Sequence, residues 1–127
     1  IANNLFKLSK HFENSEYLKI SEKMLDMVSP QIKDYPQGYS NWLNLRLNFK
    51  HSFYEVVVMG PNAKSVVDDF NRKYLPNILI AGSETEDESL PLLKHRYKDG
   101  EDLIYVCTNG TCQLPVKTIT SALKLIK

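Results

Sequence analysis

The chain has 127 residues, 43% hydrophobic and 24% charged, which is the balance of an ordinary globular domain able to bury a core without staples. Sixteen basic against fifteen acidic residues leave a net charge of +1, too small a field to draw nucleic acid or an anionic membrane as partner. No apolar stretch reaches the roughly 20 residues that cross a bilayer, no secretory signal pattern opens the chain, and two cysteines are no disulfide framework, so a reducing, cytoplasmic compartment is expected.

The chain starts at Ile1, not Met, and residues 1–5 carry no helix-start signal, which predicts a piece of a longer protein. Leu5, Phe6, Leu8 and Phe12 recur at helical spacing and predict a short amphipathic helix. Asn14-Ser15 can cap a second helix from about Ser15 to the region of Pro30 or just past it, with Tyr17, Leu18, Ser21, Met24, Leu25 and Val28 on one face. The pair makes an antiparallel helical hairpin. After the break at Tyr35-Pro36-Gln37-Gly38, the segment 39–49 can be read two ways. Leu43, Leu45, Leu47 and Phe49 alternate as in a strand, whereas Trp42, Leu45 and Phe49 fit a helix. The scarcity of β-branched residues favours the helix.

From residue 53 the pattern changes. Tyr54-Glu55-Val56-Val57-Val58-Met59 is a β-branched run closed by Gly60-Pro61, as in a strand covered on both faces of a parallel sheet. Asn62 can cap a helix over 63–74, and residues 78–81 form the next short strand, closed by Gly82-Ser83. The acidic run 84–88 reads as a solvated loop, 90–93 as one helical turn and 98–102 as a turn. A third strand over 103–107 and a last helix over 116–126 complete the order. The expectation is an α/β protein: a helical segment, 1–50, then a small domain, 51–127, with a mainly parallel three-stranded sheet flanked by helices.

The run Tyr105-Val106-Cys107-Thr108-Asn109-Gly110-Thr111-Cys112-Gln113-Leu114-Pro115-Val116 resembles the near-terminal YVC-x-N-x-x-C-x-x-PV signature of the thioredoxin-domain-containing proteins similar to spermatogenesis-associated protein 20. The strand Glu55-Val56-Val57-Val58 and the helix bearing Asn4, Leu5 and Leu8 are similar to further segments of that family. The resemblance implies an N-terminal thioredoxin-like domain, an (α/α) toroid and an α/β tail. Residues 1–50 would then end the toroid, and 51–127 would be the tail. It also implies that the remainder of that polypeptide is the partner, and that the family's redox C-x-x-C lies outside this chain.

Cys107 and Cys112 are the foremost candidates for chemistry. They are either a redox-active or switchable pair, with Cα atoms brought within about 4.4–6.8 Å by a turn, or a buried small residue and a loop-packing residue. A metal site would need more ligands, since His95 with the two cysteines makes three where structural zinc takes four. No cofactor is implied. A second candidate is the edge where strand-end loops gather in a parallel sheet, with Gly60, Asn62, Ser83, Asn109, Gly110 and Thr111 able to meet a small ligand. No phosphate-binding glycine motif supports it, and turn chemistry alone explains those residues. Glu55 reads as an edge carboxylate held by water, and Asp68-Asp69 as a solvated helix face. The aromatic residues 35, 39, 42, 49, 53 and 54 read as packing, with self-association expected if they are exposed. The resulting expectation is a structural and interaction module with no catalysis of its own. The alternatives are a redox-linked accessory and a ligand-binding α/β module.

Overall fold

In the computed structural model, which describes residues 1–127, Asn14 starts the longest helix by accepting from the backbone N–H groups of Glu16 at 2.9 Å and Tyr17 at 3.1 Å. This is the side-chain cap its sequence position predicts. The helix α2 (Ser15–Asp34) follows α1 (Ala2–His11) and pairs with it as a helical hairpin. It runs through Pro30 to Asp34, a little beyond the region where the sequence pattern places its end. Proline deletes one internal hydrogen bond, but the following turn carries Ile32, which is buried, and that burial favours continuing the helix. A 3-10 turn (Pro36–Tyr39) then leads into α3 (Ser40–Lys50).

The helical choice for α3 is settled by which leucines are buried. Leu45 is fully buried while Leu47 is 54% exposed, whereas a strand would put both on one face. Phe49, one helical turn beyond Leu45, sets its ring edge-on to Phe6 with centroids 5.1 Å apart. Ser21, fully buried on α2, donates its hydroxyl to the Ala2 carbonyl at 2.8 Å, so a polar side chain ties the two helices of the hairpin. These helices form one unit, Ile1–Ser52, and Phe53–Lys127 forms a second.

The second unit is built on β1 (Tyr54–Met59), every residue of which is buried. Its neighbours are β2 (Ile78–Ser83) on one side and β3 (Leu103–Thr108) on the other, with β4 (Thr111–Cys112) outside β3. The sheet is therefore four-stranded and mixed, which corrects the expected three-stranded, mainly parallel one. β1 and β2 are parallel, joined by α4 (Ala63–Asn71). β3 runs antiparallel to β1, with Met59 opposite Leu103 and Glu55 opposite Cys107. A parallel return needs a crossover of a dozen or more residues, usually a helix. Residues 84–102 contain only a 3-10 turn, Pro91–Leu93, and they deliver the chain beside the end of β1 at which β2 finishes.

One face of the sheet carries Val56, Val58, Ile104 and Val106, covered by Ala63 and Phe70 of α4 and Ala122 of α5 (Ile119–Leu125). Alternation puts Glu55, Val57, Leu103, Tyr105 and Cys107 on the other face. The helix α5 starts three residues later than its pattern suggested. Val116 is held extended by two hydrogen bonds with Ile104, and Thr118 caps the helix by accepting from the Ser121 N–H at 3.2 Å. No helix is long and apolar enough to cross a membrane.

Candidate functional site: a hairpin disulfide beside a buried carboxylate

Asn109 and Gly110 both have positive φ, 50° and 79°, the conformation of a two-residue type I′ hairpin turn. The turn pairs Thr108 with Thr111 and Cys107 with Cys112. Because the Gln113 N–H donates to the Val106 carbonyl at 3.0 Å, the next pair inward, Cys107 and Cys112, is a non-hydrogen-bonded one, where opposed Cα atoms come closest. The two Cα atoms lie 3.8 Å apart, nearer than the sequence suggested, and the sulfurs are joined in a disulfide.

The two cysteines are unequal. Cys107 is fully buried, whereas Cys112 is partly exposed on the edge strand. Arg96 covers Cys112, and its Nη2 donates to Sγ at 3.2 Å. The guanidinium is steered by bonds from Nη1 to the Leu92 carbonyl and, at 3.5 Å, to the Pro91 carbonyl. It lies 6.0 Å from the centroid of the Tyr105 ring, and the Tyr105 hydroxyl donates back to the Arg96 carbonyl at 3.0 Å. A thiolate generated at Cys112 would therefore meet a fixed positive charge, the setting that favours the ionised sulfur.

Glu55 stands directly across from Cys107 and is 2% exposed. This corrects the edge-carboxylate reading, because the central position of β1 takes the side chain out of water. Its Oε2 accepts from the Gly110 N–H at 3.5 Å, so the carboxylate reaches along β3 to the hairpin turn. Carboxyl, disulfide, guanidinium and phenol thus share one face of the sheet.

The proposed ligand edge is divided by the direction of β3. Gly60, Asn62 and Ser83 lie where β1 and β2 end, and Asn109, Gly110 and Thr111 lie at the opposite end. The first group is also occupied by internal bonds. The Gly60 N–H donates to the Ser83 carbonyl at 3.1 Å, and Asn62 donates its backbone N–H and side-chain amide to Asp102. Asn62 makes no side-chain cap for α4. No three His, Cys, Asp or Glu residues are grouped to hold a metal ion. In the helical unit, a cleft of about 330 Å³ between α2 and α3 mixes Glu22 and Asp26 with Lys33, Arg46 and Lys50, with no preference of sign.

Reasoning from sequence reached the cysteine pair, set Glu55 aside as a solvated edge carboxylate and missed Arg96. A charge inside an otherwise continuous β-branched run was a usable signal for Glu55. Nothing local marks Arg96, which meets Cys112 only through the fold of residues 84–102. Fold and site together define a mixed α/β unit with a hairpin disulfide flanked by a buried carboxyl and a guanidinium. No protein-family model, curated protein or solved structure matches the chain.

Proposed function

We propose that the chain is a redox-linked accessory module, without catalysis of its own, that exchanges its Cys107–Cys112 disulfide with thiols of a larger polypeptide. The observation that carries this reading is the asymmetry of the pair, with a partly exposed residue, Cys112, bonded to Arg96 and joined to the fully buried Cys107. The small size of the ring adds to it. A disulfide closing a loop of this length, with a sequence separation of 5, stabilises by about 2 kcal/mol in the chain-entropy account. The Asn109-Gly110 turn and the pairing of β3 with β1 already fix the same backbone. Stapling is therefore a small part of what the bond can do.

The resemblance of residues 105–116 to the thioredoxin-domain-containing proteins supports placing that polypeptide in the same family, in the cytoplasm, with the helical unit closing a toroid. The structural-module reading, in which the tail only completes its parent, is the competing one. Equilibration of the chain in graded redox buffers, followed by alkylation and mass analysis, separates them. A midpoint within about −180 to −270 mV, the range of dithiol oxidoreductases, supports exchange, and one below about −300 mV assigns a structural bond. Two freely reacting thiols under all conditions would remove the redox reading.

A further inference from the structure

Resting on that exchange reading, we propose that Cys112 is the sulfur attacked first, that the co-reactant is a protein dithiol, and that Glu55 hands a proton to and from Cys107. Access decides the first point. Cys107 is fully buried and Cys112 is partly exposed, so an incoming thiolate reaches Sγ of Cys112. Attack forms a sulfur–sulfur bond to the partner and breaks the Cys107–Cys112 bond, and the released electron pair goes to Cys107.

A bare thiolate at Cys107 would sit in a fully buried position, and burial disfavours the charged form. The Arg96 guanidinium bonds to Cys112 and stands one sulfur–sulfur bond further from Cys107, so it supports a charge on Cys107 less than one on Cys112. The group across the strand pair from Cys107 is the Glu55 carboxyl. A proton passed from the Glu55 carboxyl to Cys107 leaves a neutral thiol beside a carboxylate that the Gly110 N–H supports. The partner's second thiol, its proton released to water, then attacks the partner's own sulfur in the mixed disulfide. Cys112 departs as a thiolate under the Arg96 guanidinium. The dithiol has been oxidised to a disulfide, and the Cys107–Cys112 bond reduced by two electrons. In the reverse direction the Glu55 carboxylate takes the proton of Cys107. The charged and titratable groups that the register and contacts place on this face are Arg96, Tyr105 and the two cysteines, and Glu55 is the only carboxyl among them.

The test uses dithiothreitol as the dithiol and follows reduction of the full chain over a range of pH, with rates corrected for the thiolate fraction of the reagent. Glu55→Gln should reduce at least tenfold more slowly than the wild type. In Cys107→Ser, oxidised glutathione, whose two halves cannot reclose on themselves, should form a stable mixed disulfide on Cys112, while Cys112→Ser should trap little. Equal rates in wild type and Glu55→Gln overturn the role of Glu55 and leave the exchange reading standing. Trapping on Cys107 instead of Cys112 overturns the order of attack. A disulfide that dithiothreitol does not open sinks both this inference and the exchange reading. If Glu55→Gln does not fold, the wild-type rates in water and in heavy water decide, and equal ones overturn the proton transfer.

Discussion

Asp102 holds Asn62 with both carboxylate oxygens, taking the backbone N–H at 2.9 Å and the side-chain amide at 2.8 Å across 40 residues of chain. These bonds fasten the start of α4 to the residue before β3, and they hold the Asp102 carboxyl below its usual range. Asp102→Ala should lower the stability of the α/β unit by about 1 kcal/mol, the ordinary worth of such bonds at a partly exposed site. Chemical denaturation of the variant checks this, and an unchanged midpoint would show the clamp to be incidental.

Gly60 and Gly110 both have positive φ, yet they should respond differently to substitution. A Cβ on Gly60 would lie 2.8 Å from the Asp102 Cα and closer still to the Glu101 carbonyl oxygen, whereas one on Gly110 would meet nothing within 4 Å. Gly110→Ala should cost about 1 kcal/mol, the left-handed penalty alone. Gly60→Ala adds a clash with backbone that cannot move aside, and should cost about 3 kcal/mol. For a unit this small, each kcal/mol is about 4–8 °C of Tm, so two thermal melts suffice. Equal losses would contradict the close approach at Gly60.

Glu101 is drawn between two lysines. Lys117 lies 2.7 Å from one carboxylate oxygen and Lys98 contacts the other. Bonding to Lys117 first, and to Lys98 second, holds its pKa at about 2 in place of the ordinary 4.5. A depressed carboxyl stabilises the folded state above the unfolded value, and that contribution fades as pH falls from 4.5 towards about 2. The denaturation midpoint of the wild type should decline through this window. Glu101→Gln should flatten the decline, and high salt should mimic it because the carboxylate is partly exposed and both lysines are exposed. A variant with the wild-type acid profile would count against the pairing.

Leu45→Ala should destabilise the helical unit by about 2–5 kcal/mol, as burial at a fully enclosed site requires. Leu47→Ala, at a side chain 54% exposed, should change stability by under about 0.5 kcal/mol. Comparable losses at the two positions would return the segment to the strand reading.

Much of the fold was written in local chemistry. Asn14 announced its helix by the cap it supplies, and Tyr54–Met59 announced a fully covered strand by its valines. Strand direction was not written there, because it depends on where residues 84–102 carry the chain and on the absence of a crossover helix among them. One missed element did have a signal, since Asn109-Gly110 between threonines is the usual sequence of a two-residue hairpin, and it placed the cysteines opposite each other. The remainder of the site was out of reach. Arg96 comes to Cys112 from 16 positions away through a segment with no regular periodicity.

The central place of β1 also shapes how the second unit is assembled. This strand must find β2 roughly 24 residues downstream and β3 roughly 50 residues downstream, while β3 and β4 need only a two-residue turn. Hairpins close in about 1–10 μs, and distant pairings are slower because the loop must be closed before contacts compensate. The β3–β4 hairpin should therefore exist as a transient nucleus before β1 docks on it. Oxidation of the two thiols could then occur in a chain that is still largely unfolded, ahead of the burial of Cys107.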